Sequence, residues 1–544
     1  MKFRFIVIGA LLLSACVSQP SGMMNHQMNG MQHGGGMMGN SQTGTDGFLP
    51  GQGSDVSTLP EAKPSTTIDV VDGQTITLNP MLVRKTINGK EMVMYGYNGE
   101  IPGPLLKVKQ GSTFTVNVKN NIDLPTTIHW HGVRLDSQFD GSVGVSQNEI
   151  APGGNFTYTV KVPDDGIYWY HTHVREDLEQ PMGLYGGILV TPKDTSTLEP
   201  VNDEHVIFVS DLLVDDSGAP IPYGVDQPDH TLMGRFGNMF LMNGSEEQAL
   251  QEIGQQIFST KQGSVVRLYL VNAANTRTLR FAIGDGKMKL VGGDNGPNER
   301  DKFVNDVTLA PSERAIVDVY FPRGGGLTSL NHQPLSDDSK PNGYRQLGNI
   351  AIAMERASPS YKKEFDVLQT HPEVVKSIDA FRSFFDKSPD HTLILDMNMM
   401  GGMGGMRGSV PVDGIEWEDD TGMMNAATMG QMMQWKMIDQ ESGAANKDLL
   451  YTVKVGDKVK IRIINKKDSP HPMQHPIHFH GQRFLVLSDN GVKNDNLAWK
   501  DTVLVPAGHT VDILLDASNP GDWMFHCHIA EHLENGMMGM LSVK

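Results

Sequence analysis

One pair of short segments recurs three times along the chain, and this recurrence constrains the fold more than any other feature. KVKQGSTFTVNVKNNI (107–122), STKQGSVVRLYLVNAAN (259–275) and TVKVGDKVKIRIINKKD (452–468) each set a glycine turn before an alternating strand that ends near asparagine. APGGNFTYTVKV (151–162), APSERAIVDVYF (310–321) and PAGHTVDILLDA (506–517) repeat a second element. Alternating apolar and polar residues between Gly, Pro and Asn turns read as strands with one buried face, hence an all-β chain. A unit repeated at long period predicts related domains, here at 66–195, 196–370 and 390–544. The polar, weakly helical stretch 358–390 reads as the connector between the second and third.

The first and third copies share more than strands. HWHG (129–132) matches HFHG (478–481), and GIYWYHTH (166–173) matches GDWMFHCH (521–528). The middle copy has neither and reads as structural. Side chains two apart on a strand point the same way. Each pair, His129/His131, His171/His173, His478/His480 and His526/His528, therefore aims two imidazoles at one place. Four such pairs in matching positions of repeated domains predict that the first and third domains face each other across a histidine cluster. Imidazole suits copper, zinc and iron alike, so the cluster alone does not name its metal.

Cys527 narrows the choice. It is one of two cysteines in 544 residues, and alternation turns its sulfur away from His526 and His528. His532 and Met537 follow it, and His475 precedes the third pair in HPIHFHG. Two histidines, a thiolate and a weak axial thioether make a blue-copper electron-transfer site.

With these motifs in this order, HWHG, WYHTH, HPIHFHG and HCHIAEHLENGM, the chain resembles the multicopper oxidases over residues 66–544. The resemblance implies three cupredoxin-like Greek-key β-barrel domains and four copper ions. It places type 1 copper on His475, Cys527, His532 and Met537, and type 2 on His129 and His478. The type 3 pair falls on His131, His171, His173, His480, His526 and His528. It further implies that electrons enter at type 1 copper and pass through Cys527, His526 and His528 to dioxygen, which is reduced to water. Asp140 matches an acidic position of the family near the cluster; it reads either as a proton relay or as a turn residue before Gly141. Where many bacterial relatives carry Glu after the last type 1 histidine, this chain has Leu533, with Glu531 and Glu534 beside it.

The opening MKFRFIVIGALLLSAC has a basic start, a short apolar run and a small-residue end, which reads as an export signal. Leu13-Ser14-Ala15-Cys16 resembles a lipobox, so residues 1–16 are expected to be a lipoprotein signal peptide with a lipid anchor on Cys16; the alternative is an ordinary cleaved signal. The expected location is the cell envelope, facing the periplasm or the exterior. Residues 17–65, rich in Met, Gly, Ser and Asn, read as a flexible tether. A net charge of −18 argues against nucleic acid as a partner.

Methionine numbers 32, with a cluster at 397–437 in the third domain. Thioethers select Cu(I), so Met399, Met400, Met403, Met406, Met429, Met432 and Met433 are a candidate cuprous substrate site. Met429, Met432, Met433 and Met437 have helical spacing and could instead pack a core. The reading is an enzyme that oxidises Cu(I) and/or small phenols, serving copper tolerance. A laccase with an organic substrate and a non-catalytic copper-binding envelope protein are the alternatives.

Overall fold

The computed structural model describes residues 47–193, 198–252, 254–334, 344–399, 410–411, 413–430 and 432–544. The recurrent segments form the same structure three times. Thr113–Lys119 pairs antiparallel with Asn155–Lys161, Val265–Asn272 with Arg314–Tyr320, and Lys458–Asn465 with Thr510–Asp516. The glycine before the first strand of each pair, Gly111, Gly263 and Gly456, has φ of +87°, +80° and +96°. That left-handed backbone is open to glycine at little cost, which is why all three copies keep it.

Around these pairs stand three two-sheet units, each with its own core. The first joins a five-stranded to a three-stranded sheet, while the second and third each join a seven-stranded to a five-stranded one. In the first unit's five-stranded sheet, Gly166–His171 lies between His129–His131 and Tyr185–Thr191. In the third, Gly521–Cys527 lies between His475–Phe479 and Met538–Val543. The histidine motifs thus occupy equivalent strands of the outer units.

Three expectations need correction. Residues 17–46 lie outside the described residues, but 48–63 do not behave as a tether. Phe48 bridges Tyr223, Glu61 bridges Arg84 and Lys63 bridges Glu100, while Phe48 and Leu49 pack on the first core. Apolar side chains at these positions tie backbone that composition alone reads as loose. The helix suggested for Met429–Met437 is a strand, Met433–Asp439, antiparallel to His391–Met399. Met433, Trp435 and Met437 are buried while Gln434 is exposed and Lys436 half-buried, so period two overrides the helical spacing. The Met-rich insertion consequently begins after Met399 and ends before Met433, since both methionines pair in this hairpin.

The connector is a packed strap. Its helix Pro372–Asp379 precedes Phe381, which meets Trp499 edge-on at 4.9 Å, and His371 Nε2 lies 2.9 Å from Asp301 Oδ1. Among the described residues no helix is long and apolar enough to cross a membrane.

Candidate metal centre

Strand register brings the histidines together. His129 is opposite His171, and His478 is opposite His526. Between the outer units, ring nitrogens gather within 4.8 Å of one another in three groups: His129/His131/His478, His131/His171/His528 and His173/His480/His526. Each group draws on both outer units. His131 and His478 stack at 3.7 Å.

The outward nitrogen of most rings is already engaged. His129 Nδ1 donates to Asp140 O at 2.8 Å, His171 Nδ1 to Thr172 O at 2.6 Å, His478 Nδ1 to Asp501 O at 2.9 Å and His526 Nδ1 to Cys527 O at 2.9 Å. His480 Nδ1 donates to Asp140 Oδ2 at 2.8 Å, and His173 Nδ1 sits 3.2 Å from Glu176 Oε1. Inside the cluster, Nε2 of His129, His173, His478 and His528 is buried without a partner. His480 Nε2 and His526 Nε2 face each other at 2.9 Å although both rings donate from Nδ1. Lone pairs that converge in a dry site repel one another unless a cation sits between them, so the donor set fits metal ions.

The electrostatics agree. Burial, reinforced by neighbouring imidazoles, holds His131, His171, His173, His478, His526 and His528 far below the usual imidazole range, and His480 at about 4. Neutral imidazoles are the ligating form.

Cys527 faces the other way, into the third core with Met537, Ile477 and Ile529. Its Sγ lies 3.5 Å from His475 Nδ1 and 3.7 Å from His532 Nδ1. Met537 is fully buried, its N–H donates to His532 O at 2.9 Å and its carbonyl accepts from Cys527 N at 3.1 Å. Burial raises the thiol and lowers His475 to about 3. A thiolate and two imidazoles beside a buried thioether are a soft donor set that suits copper.

Family models described as multicopper oxidase match residues 82–195, 203–321 and 418–544. The chain belongs to the multicopper oxidase family. This multicopper oxidase is 27% identical over 457 residues to "Multicopper oxidase mco" of Staphylococcus aureus, covering 82% of the chain and 83% of that protein. It is 24% identical to "Copper resistance protein A" of Escherichia coli, covering 84% and 90%. A solved multi-copper oxidase from Pseudomonas thermotolerans is 25% identical, with a TM-score of 0.64 over 88% of this chain and all of that one. The fold is shared with a metallo-oxidase from Campylobacter jejuni at a TM-score of 0.66, 24% identity, 90% of this chain and 98% of that one. Membership makes the protein an oxidoreductase that uses copper.

In this multicopper oxidase Asp140 is both a turn residue and a neighbour of the cluster. It closes the turn Ser137–Phe139, while its Oδ2 engages His480 and accepts from Ser142 Oγ at 2.6 Å. A Cβ on the following Gly141 would stand 2.0 Å from Ile128 O. Glu531 is buried, accepting from Arg235 N at 3.1 Å and Asn275 Nδ2 at 2.8 Å, whereas Glu534 is exposed.

The methionines divide. Met433 and Met437 are core, which removes Met433 from the candidate substrate site, and Met399 packs partly buried against the same core. Met429 is 49% exposed with its sulfur 3.9 Å from Gln227 Nε2, and Met432 is half-buried. Met400, Met403 and Met406 lie outside the described residues.

Sequence reasoning missed four neighbours of the site. Trp435 packs against His475 at 4.8 Å and His532 at 4.4 Å. His471 is buried with Nε2 unpartnered, lowered to about 4 by burial. Asp501 touches His131, and Glu176 touches His173. Only Glu176 left a local signal, three residues beyond His173.

Proposed function

We propose that this multicopper oxidase carries four copper ions and couples one-electron oxidation of a substrate to reduction of dioxygen to water. His475, Cys527, His532 and Met537 hold type 1 copper. His129 and His478 hold type 2, and His131, His171, His528 with His173, His480, His526 hold the type 3 pair. Copper so held supplies one-electron redox steps, four of which, with four protons, convert one dioxygen to two waters. The observation that carries the reading is the convergence of inward-facing ring nitrogens, Nε2 of His129, His173, His478 and His528 among them unpartnered, on a cluster that includes both sequence neighbours of Cys527. Cys527 joins the two places covalently, its sulfur in one and its peptide neighbours His526 and His528 in the other. Asp140, with Oδ1 unpartnered beside His129, is the group assigned to proton transfer.

The substrate assigned is Cu(I), with small phenols as further reductants, and the role is copper tolerance. Met423, 94% exposed, lies in the short helix Gly422–Ala426, and Met429 follows Thr428, whose Oγ1 accepts from Leu232 N at 3.0 Å. The Leu232 backbone lies against His532, so Thr428, the residue before Met429, is one residue removed from the electron entry. A laccase with an organic substrate is the second reading, favoured by the naming of the relatives called laccase. The complete donor set speaks against a non-catalytic copper-binding protein. Export and a lipid anchor on Cys16, which lies outside the described residues, place the enzyme in the cell envelope.

Oxygen uptake by the copper-loaded protein, with Cu(I) and with a phenol, tests this directly. The wild type should be blue with about four coppers, and Cys527→Ser should lose both colour and turnover while staying folded. A fully loaded but colourless wild type overturns the type 1 assignment. A higher specificity constant for the phenol than for Cu(I) selects the laccase reading.

A further inference from the structure

The middle unit contributes no histidine to the cluster, yet it sends one arginine to it. Arg314 begins the strand Arg314–Tyr320 and is completely buried. Its Nε donates to Ile167 O of the first unit at 2.9 Å. Its Nη1 and Nη2 form a two-point bond with Asp501 of the third, at 2.6 and 2.5 Å. All three units meet on this one side chain. Its own N–H donates to Asp294 Oδ1 at 2.8 Å, and Asp294 is in turn paired with Lys500 at 3.0 Å.

Asp501 is where the cluster is held. Asp501 Oδ1 lies 3.1 Å from His131 Nε2, and its main-chain oxygen takes the His478 Nδ1 proton at 2.9 Å. Thr502 Oγ1 lies 3.1 Å from both of those ring nitrogens. Asp501 and Thr502 therefore grip the stacked pair His131 and His478, one ring from each outer unit. His131 is turned opposite to its fellows. His129, His171, His173, His478, His480 and His526 engage an outward partner through Nδ1, whereas His131 does so through Nε2, leaving Nδ1 toward His171 Nε2 at 3.4 Å. Gly132 keeps this pair in place by having no side chain: a Cβ there would stand 2.2 Å from Asp501 Oδ2 and 2.9 Å from Arg314 Nη2.

We infer that Arg314 is a positioning residue of the copper cluster: its two-point bond aims the Asp501 carboxylate so that His131 keeps its proton on Nε2 and presents Nδ1 as ligand. A carboxylate in so dry a place needs a paired cation, and a planar guanidinium fixes its rotation as a lysine cannot. The middle unit thereby takes part in the reaction through orientation. The inference rests on the proposal that the cluster holds copper, but the tautomer of His131 is testable without copper.

The experiment uses the full chain as wild type, Arg314→Lys, Arg314→Met, Asp501→Asn and the Arg314→Met/Asp501→Asn double variant. In the copper-free wild type, nitrogen-15 resonances of the His131 ring should report the Nε2-protonated tautomer, and Arg314→Met should mix it with the Nδ1-protonated form. On loading, Arg314→Met should lower cluster copper affinity about 10–100-fold, the usual cost of losing an outer partner of a ligand. It should leave the blue band at wild-type intensity per folded protein, because Cys527 lies in the third core. Arg314→Lys, which keeps charge but not the two-point bond, should fall between. If Arg314 acts through Asp501, the double variant should lose no more cluster affinity than Asp501→Asn. An unchanged His131 tautomer in Arg314→Lys, additive losses in the double variant, or equal loss of blue band and cluster copper with the melting temperature would each overturn the inference. A wild type with the expected tautomer that binds no copper would instead refute the proposed function and leave the positioning geometry standing.

Discussion

Replacing Met437 by alanine separates packing from substrate binding in the methionine-rich region. Met437 is fully buried and Met433 is 2% exposed, both on the face of Met433–Asp439 that carries Trp435 into the third core. Truncating a buried methionine to alanine costs about 2–5 kcal/mol, the loss of transfer energy plus the cavity left behind. For a domain of roughly 150 residues each kcal/mol moves the melting temperature by about 2–4 °C. Met437→Ala should therefore lower it by about 4–20 °C, and Met433→Ala similarly. Met423→Ala and Met429→Ala, both exposed, should stay within about 0.5 kcal/mol of wild type. Calorimetry on the copper-free protein gives the stability, free of the shift that bound metal adds. Rates on Cu(I) and on a phenol then complete the comparison. The core variants should lose both activities together as the folded fraction falls, while the exposed variants should lose Cu(I) oxidation and keep the phenol. A Met437→Ala protein that melts with the wild type, or one that loses only Cu(I) oxidation, would refute the assignment of this strand to the core.

Three further outcomes are expected. Asp140→Asn replaces one acceptor by a donor opposite His480 Nδ1, and turnover should fall at least tenfold with the blue band retained; unchanged oxygen uptake would remove Asp140 from the reaction. Copper uptake at Cys527 should strengthen about tenfold per pH unit between pH 6 and 8, because burial keeps the thiol protonated and the metal must displace that proton. His131, His171, His173, His478, His480, His526 and His528, held low by burial, are already neutral in that window, so cluster affinity should change far less with pH than uptake at Cys527; chelator competition at several pH values measures both. Cys16→Ala should release the protein from the membrane fraction, and equal partitioning of variant and wild type in a detergent phase separation would rule out the lipid anchor.

The parts legible in the sequence were those written in short-range pattern. Thr113–Lys119, Val265–Asn272 and Lys458–Asn465 announced themselves because alternation and a glycine turn are local properties that recurred. The His-x-His pairs were legible for the same reason, since residues two apart must share a strand face. Met433–Asp439 was misread because a methionine run satisfies helical spacing and alternation at once, and only its partner His391–Met399 decides between them. Residues 48–63 were misread because composition describes a segment, not the strand edges it meets. Arg314 with Asp501 was invisible, for the two are 187 positions apart and nothing near either one specifies the other.

Each histidine group is shared between the outer units, and this orders how the protein can be made. His129 and His526 are 397 positions apart in the chain. A growing polypeptide that has finished its first and second units displays His129, His131, His171 and His173 but no complete group. Copper met at that stage finds only paired imidazoles, which it can leave. Capture becomes durable when the third unit closes over the first, so a truncated or unfinished chain is a poor sink for the metal. Maturation is thereby tied to completion of the polypeptide.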